Sequence, residues 1–385
     1  MSTPIRAKRV SNYELFFDLA VVLAIGKLTS AFHIEHIGWL EVWSFILGNI
    51  ILLSVWMNEV FYYNKYGDSR RADIYTVVTL MFVLGNMALN FNFDSSLLSQ
   101  RAANDFRFNL LLIIAYAIIG LQYFLKGRKL GFSKDIKTAI AHNLISAAAI
   151  FPLIIPFVHN HFELGLLYLI PLILPFFLGR HLDTERDNFP HFLERAQLVT
   201  ILTFGETVIA IISTYPLAEN LYQGALLFFG MAMLFMFYMT QTFLAINHHT
   251  RKNASLLFYV HILIFIGINF FTVGLEFLAD HQHAPIGFKL FVTGVLMVYL
   301  GTLLTTYYNQ KLYQFTVREY LAFTSLLAAI LSAFVIAGPH VLPLSIILII
   351  GGWCLSRYYM FIRKRFREQN NVPHPDPTKN LRDFS

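Results

Sequence analysis

The sequence has few charged residues and a single cysteine. Only 14% of its 385 residues are Asp, Glu, Lys or Arg, whereas 56% are hydrophobic. A soluble domain usually carries about 25% charged and about 45–50% apolar residues, so this composition excludes an ordinary soluble protein and indicates a chain solvated mostly by lipid. The lone cysteine, Cys354, excludes an internal disulfide and a cysteine-based metal site.

Sequence motifs for familiar chemistry are also missing. The chain has no phosphate-binding glycine loop, zinc-helix motif or nucleophile elbow. Its histidine pairs in loops lack a third ligand nearby in sequence, so we expect no metal and no cofactor. The net charge of +6 comes from basic residues in short loops, a pattern that indicates membrane topology and does not favour nucleic-acid binding.

What the sequence does have is long apolar runs. Twelve of them are long enough to cross a hydrocarbon core of ~30 Å. They predict an all-α, polytopic membrane bundle of about twelve transmembrane helices. Ten spans remain an alternative, because removing a pair of spans leaves the predicted orientation of the remaining spans unchanged. The predicted spans are roughly 13–32, 39–60, 74–92, 106–125, 136–158, 163–179, 192–213, 221–246, 255–279, 286–308, 316–337 and 340–361.

Basic residues alternate between the predicted loops. Every second loop, starting with the N-terminal segment, holds Lys and Arg, whereas the other loops hold only Arg101, Arg107 and Lys289. Cytoplasmic loops carry such an excess of positive charge, so both termini are predicted to be cytoplasmic, with membrane lipids as partners. The polar stretch 366–385 is predicted to be a disordered cytoplasmic tail.

Charged residues within the predicted spans cost ~2.5–3.5 kcal/mol each on insertion scales, so they should face the bundle interior. The first span contains charged residues, unlike the core of a cleavable signal peptide, and is predicted to be a retained helix. Asp18, Lys27 and Glu206 are predicted to line or gate a polar interior or transport path. Lys27 and Glu206 share a depth in the membrane, which favours an ion pair if their helices are neighbours.

Five further ionisable residues complete the predicted site. Glu14, Glu194 and Arg195 are predicted to form a cytoplasmic rim. His142 and His261 are candidates for a proton relay, because histidine titrates near neutrality. Each residue also has a structural interpretation, either as an ion pair at the interface or as a hydrogen-bonded packing histidine.

Two motifs resemble one known family. Tyr13–Leu28 reads YELFFDLAVVLAIGKL, and His191–Ile211 reads HFLERAQLVTILTFGETVIAI. They resemble the patterns E-L-F-F-D-L-V-F-V and H-x-x-E-R followed by G-E-x-[IV] of the bacterial low temperature requirement A (LtrA) family. The resemblance implies a many-spanning fold over nearly the whole chain and a bacterial inner membrane location, but it implies no substrate. Lys27 departs from the uncharged polar residue expected at that point.

The two motifs lie near the start of two predicted halves of the membrane domain, which are 1–179 with helices 1–6 and 180–365 with helices 7–12. Their spacing suggests a parallel repeat of the kind that transporters use. We expect a transporter or channel-like protein for a small solute, ion or proton, because the buried charges lie at mid-membrane depth and the loops are short. The alternatives are a membrane-embedded enzyme acting on a lipid, with Asp18 and His142 as its weak candidate pair, and a non-catalytic protein that supports growth in the cold.

Overall fold

The computed structural model describes residues 7–93, 98–155, 162–179, 182–183 and 186–373. Within these residues the regular secondary structure is α-helical, apart from short 3₁₀ segments and one isolated backbone bridge, so the predicted all-α class is confirmed. The helices are α1 (Asn12–Ala31), α2 (Trp39–Lys65), α3 (Arg71–Ala88), α4 (Leu98–Leu130), α5 (Lys134–Ile150), α6 (Ile170–Leu178), α7 (Phe189–Thr214), α8 (Leu217–Leu244), α9 (Ser255–Phe277), α10 (Ala284–Leu304), α11 (Val317–Ala337) and α12 (Val341–Gln369).

Nine of the helices in the described residues are long and apolar enough to cross a membrane. The other three are α1, α3 and α6. Helix α1 carries three charged side chains, α3 begins with Arg71 and Asp73, and α6 has only nine residues. A membrane bundle with several spans is therefore supported, whereas a total of twelve spans stays a prediction.

Proline residues explain where α5 ends and α6 begins. Proline lacks the backbone N–H that a helix interior needs, but it fits the first turn of a helix. Helix α5 ends at Ile150, and a 3₁₀ turn containing Pro152 follows it. Pro171 lies in the first turn of α6, after a 3₁₀ segment at Phe162–Leu169. The predicted fifth span is therefore shorter as an α-helix than expected, and its predicted end at 158 lies outside the described residues.

The described helices fall into two compact units. One contains the chain up to Thr207 together with His248–Val273, and the other contains Val208–Asn247 together with the chain from Gly274 onward. This division follows contacts and does not test an internal repeat, so the two six-helix halves stay a prediction. The last helix ends at Gln369, so the first residues of the predicted tail are helical, and 374–385 lie outside the described residues.

An aromatic core joins α2, α7 and α9 in the first unit. Trp56 of α2 packs against Phe258 and Phe265 of α9, with ring centroids 5.5 and 5.7 Å apart. Phe61 of α2 contacts both Phe192 of α7 and Phe258, each at 4.9 Å. Rings at these distances pack in tilted and edge-to-face pairs that resist rotation of the helices. The core therefore fixes which faces of α2 and α7 turn towards α1.

In the second unit, α8 packs against α10 and α12, and α11 packs against α12. A buried polar chain lies near the ends of these helices. Tyr359 of α12 donates to Gln241 of α8, and Gln241 donates to the side-chain oxygen of Asn309 at 2.7 Å. Asn309 in turn donates to the carbonyl oxygen of Tyr313 at 2.8 Å. Buried polar groups are stable when each finds such a partner, so this chain fixes the register of α8 against α12.

Candidate functional site

The first turn of α1 holds Glu14 in one orientation. The backbone N–H and the hydroxyl of Ser11 donate to Oε1 of Glu14 at 3.0 and 2.9 Å, and Ser11 caps the helix in return. This reciprocal capping box satisfies backbone donors at the helix start. Asp18 lies one turn further on the same face, and both carboxylates are buried. Because Ser11 occupies Oε1, the other oxygen of Glu14 is available to α7.

Arg195 of α7 binds both carboxylates of α1 and is itself fully buried. Its Nε and Nη2 donate to the two oxygens of Asp18, each at 2.6 Å, and its Nη1 donates to Oε2 of Glu14 at 2.8 Å. Trp56 of α2 adds a hydrogen bond from its indole N–H to Asp18, at 2.8 Å. A planar guanidinium matches a carboxylate at both donors, so these contacts fix three helices relative to one another.

His191 completes the cluster from α7, four residues before Arg195. Its Nε2 lies 2.8 Å from Oε2 of Glu14, and its Nδ1 lies 3.1 Å from the amide nitrogen of Asn64. An amide nitrogen only donates, so Nδ1 accepts and Nε2 carries the proton of a neutral imidazole. Asn64 is held by two hydrogen bonds to the backbone of Asn188, each at 2.9 Å. We call Glu14, Asp18, His191 and Arg195 the α1–α7 ion cluster.

With a neutral imidazole, the two carboxylates and one guanidinium of the α1–α7 ion cluster carry a formal charge of −1. Lys8, just before α1, lies close enough to influence it. Its Nζ donates to the backbone carbonyls of Gly67, at 2.6 Å, and Tyr63. Burial lowers the pKa of Lys8, and the nearby carboxylate of Glu14 opposes that effect. The cluster is thus well bonded internally, which suits a role in holding helices together more than in binding a ligand.

A second buried carboxylate, Glu59 of α2, is bonded less completely. Its Oε1 accepts a hydrogen bond from the Gln122 amide of α4 at 2.9 Å, and the same amide donates to Thr76 at 3.1 Å. Oε2 of Glu59 and Oε1 of Gln122 have no hydrogen-bond partner in the part of the chain that the structure describes. Glu59 is fully buried. Two acceptor oxygens without donors at one place mark a site that would gain from an added proton or donor.

A cavity of about 70 Å³ lies in the first unit, between α2, α5, α6 and α9. This is roomy enough for several waters, since one water needs about 10–15 Å³ of such space. Its wall combines polar and charged side chains with aromatic rings. The lining residues that the argument uses are Lys65, Asp135, His142, Asn143, Asp187 and Tyr259.

Three charged groups at this cavity form one network. Lys65 lies 3.2 Å from Asp135 and 3.4 Å from Asp187. Tyr66 donates to the second oxygen of Asp135 at 2.6 Å. Burial raises the pKa of Asp187 to about 6, and the ammonium of Lys65 opposes this rise. The three charged groups sum to −1 when both carboxylates are ionised, so the cavity favours a cation, a proton or a hydrogen-bond donor.

Two buried acceptors at the same cavity have no bonding partner among the described residues. They are Nε2 of His142 and Oδ1 of Asn143. The His142 ring also makes a hydrogen bond to the backbone of Pro171, which has only a carbonyl to offer. The other ring nitrogen is therefore the donor, and Nε2 presents a lone pair. Each of these atoms would gain from a hydrogen-bond donor.

The structure separates the residues that were predicted to line one path. Asp18 lies in the α1–α7 ion cluster, whereas Lys27 is exposed on the opposite face of α1. Glu206 is half-buried, and its carboxylate lies against Gly26, where an added Cβ would be 3.1 Å from Oε2. No ion pair joins Lys27 to Glu206 within the described residues. The predicted pair is wrong, because Lys27 is exposed whereas the carboxylate of Glu206 lies against Gly26.

The predicted rim is also divided. Glu14 and Arg195 are buried together, whereas Glu194 is exposed. Neighbouring helical residues point about 100° apart, so Glu194 and Arg195 cannot both face α1. His142 lines the cavity, but His261 does not and instead bonds to the backbone oxygen of Leu257 at 2.7 Å. A relay through both histidines stays a prediction.

Sequence reasoning missed several residues of these sites. His191 had a signal, because it lies four residues before Arg195, the same spacing that puts Glu14 and Asp18 on one face. Glu59 also had a signal, because it is a carboxylate within the predicted span 39–60. Trp56 and Gln122 had none, since their partners come from distant helices. Among the described side chains there is no group of three His, Cys, Asp or Glu that could hold a metal ion.

The comparisons with known proteins identify one family. Residues 9–355 match the family described as bacterial low temperature requirement A protein, LtrA. Neither the curated proteins nor the solved structures gave a match to the chain. Because the family match covers nearly the whole sequence, this chain belongs to the bacterial LtrA family.

Proposed function

We propose that this protein is a transporter or channel-like protein for a small solute, ion or proton. One observation carries the proposal: the cavity of about 70 Å³ holds buried acceptors, on His142 and Asn143, that lack donors among the described residues. A buried acceptor left without a donor costs about 1–3 kcal/mol. A folded protein can keep such an unpaired acceptor where a bound ligand supplies the missing donor.

The electrostatics of the cavity support a positively charged or donor-rich ligand. Asp135 and Asp187 outnumber Lys65, so the charged wall sums to −1 when both are ionised. Phe61, Tyr123 and Tyr259 also line the space, and aromatic faces attract cations. A proton, a monovalent cation or a small solute with N–H or O–H groups would suit this combination.

The enzyme alternative finds less support. An enzyme needs its carboxylate–histidine pair within reach of a substrate. Glu14 and His191 form such a pair at 2.8 Å, but both are buried and bonded to their neighbours. Asp18 is occupied by Arg195 and Trp56 and does not line the cavity with His142. A transport role therefore fits the available acceptors better.

The test is flux through liposomes that contain the purified protein. The panel would include protons, ammonium, potassium, sodium and small neutral solutes, with protein-free liposomes as the baseline. His142→Phe removes the acceptor and fills part of the cavity, so it should abolish the flux. His261→Phe is the matched control, because His261 is equally buried in the same unit but does not line the cavity; it should retain flux.

Size-exclusion profiles and melting temperatures would establish that both variants fold. An absence of flux for the whole panel would reject the proposed function. Flux that survives in His142→Phe would reject the cavity as its site. Equal loss in both variants would indicate damage to the fold, and Asn143→Leu would then serve as the second variant at the cavity.

A further inference from the structure

One face of α12, the last helix, is apolar in its first part and basic further along. Ile346, Ile350 and Trp353 of α12 are exposed apolar side chains. Arg357 and Lys364 continue the same face, at helical spacings of three to four and seven residues. A membrane helix meets the headgroup region where exposed apolar side chains give way to basic ones. This end of α12 therefore presents a boundary between acyl chains and headgroups.

A groove lies at that boundary, with a volume of about 560 Å³. Its wall combines apolar and basic side chains and contains no acidic residue. Glu368 lies 3.8 Å from Lys364, but it is exposed and does not line the groove. The lining residues are Leu244, Arg357, Met360, Phe361, Arg363, Lys364 and Arg367.

Arg363 is a basic residue of this groove whose buried donors are only partly bonded. Its guanidinium lies 4.7 Å from the centre of the Tyr313 ring, and its Nη2 reaches the carbonyl oxygen of Leu244 only at 3.4 Å. Nε and Nη1 have no acceptor anywhere in the described residues. Guanidinium donors pair strongly with phosphate oxygens, often two at a time. A phosphate in the groove would provide acceptors for these two donors.

We infer that this groove binds the phosphate headgroup of an anionic phospholipid. Arg357, Arg363 and Lys364 bind the phosphate. Arg367, whose guanidinium already donates to the Pro373 carbonyl and the Tyr313 hydroxyl, adds positive charge beside them. An acyl chain lies along Met360, Phe361 and Trp353, which are all exposed. The charge pattern of the sequence predicts this end of α12 to be cytoplasmic, where anionic lipids attract basic residues by about 1 kcal/mol each. This inference does not depend on the proposed transport function.

Lipid binding can be measured by native mass spectrometry on the purified full chain. Phosphatidylglycerol is the anionic lipid, phosphatidylcholine the neutral one, and inorganic phosphate the soluble competitor. Arg363→Gln should weaken phosphatidylglycerol binding about fivefold, which corresponds to one lost basic contact. Arg318→Gln is the matched control, because Arg318 is exposed in the same unit and does not line the groove; it should change binding less than about twofold.

Three outcomes would overturn the inference. One is equal binding of phosphatidylglycerol and phosphatidylcholine. Another is equal weakening by Arg363→Gln and Arg318→Gln, which would indicate only a general attraction to positive charge. The third is complete displacement of the lipid by inorganic phosphate, which would indicate a free-anion site. If Arg363→Gln fails to fold, Arg363→Lys and Lys364→Gln test the same groove, and binding unaffected by both would also overturn it.

Discussion

Arg195 donates two hydrogen bonds of 2.6 Å to the two oxygens of Asp18, and both side chains are fully buried. The pair joins α7 to α1 across 177 residues of sequence. Removal of one member of a buried ion pair leaves an uncompensated charge, whereas the intact pair contributes little net stability. The energetic role of the pair is thus to make the arrangement of α1 and α7 specific.

We predict that Asp18→Asn destabilises the protein by about 3–5 kcal/mol, because Arg195 loses its charged partner. The melting temperature in detergent, followed by tryptophan fluorescence, would measure the effect. Asp280→Asn is the control: Asp280 is 54% exposed and pairs with the neighbouring His283 at 2.5 Å, so little change is expected. Equal melting temperatures for Asp18→Asn and the parent would show that the ion pair does not hold these helices.

We predict opposite effects for one substitution at two buried glutamates. Glu59→Gln should stabilise the protein by about 1–3 kcal/mol, because it replaces a buried carboxyl with an unpaired oxygen by an amide that can donate to the unpaired oxygen of Gln122. Glu319→Gln should destabilise it, because Glu319 accepts from the Thr316 backbone at 2.9 Å and from Arg365 at 3.2 Å. The two melting temperatures should shift in opposite directions, and a lower value for Glu59→Gln would contradict the argument.

The pH dependence of stability should contain a contribution from Asp187, just before α7. Burial raises its pKa to about 6 in the folded state, above its usual value of 3.8, despite the opposing ammonium of Lys65. The folded state therefore holds the proton more tightly, and this contribution to stability is present below pH ~4 and lost as the pH rises through ~6. The loss is on the order of 3 kcal/mol.

Asp187→Asn removes that contribution, so the variant should gain melting temperature relative to the parent as the pH rises from 4 to 7. Lys65 keeps Asp135 as a partner, at 3.2 Å, which limits the damage of the substitution. Melting curves of both proteins at several pH values provide the measurement. A difference that stays constant, or that shrinks with rising pH, would be the contrary result.

Two glycines should respond to alanine in opposite ways. At Gly274 of α9, an added Cβ would lie 2.4 Å from the backbone nitrogen of Phe291 and 2.9 Å from the oxygen of Gly287, both in α10. At Gly85 of α3, nothing lies within 4 Å. Gly274→Ala should therefore force α9 and α10 apart, a change that typically costs about 1–3 kcal/mol, and Gly85→Ala should add roughly 0.5–1 kcal/mol of stability. Melting temperatures compare them, and tolerance of alanine at Gly274 would contradict the close approach.

The sequence predicted the positions of the helices better than it predicted which side chains of different helices contact one another. Long apolar runs predicted twelve helices, and the described residues contain twelve. Helix α5 ends at Ile150, just before the 3₁₀ turn that contains Pro152. Helical spacing also placed Glu14 and Asp18 on one face, as observed. These features depend on backbone geometry and solvent preference, which act locally. The choice of which face turns inward depends on neighbouring helices, and the spacing of one helix cannot provide it.

By itself, then, the sequence determined a membrane protein of the LtrA family, its helical class and the relative directions of residues within each helix. Only the tertiary structure decided that Asp18 pairs with Arg195, that Lys27 faces outward, and that His142 lines a cavity while His261 does not. Helical periodicity is a property of the backbone, so it can be read along the chain. Pairing between charges depends on distances of a few ångströms between helices that are far apart in sequence, and these distances are set only when the helices pack.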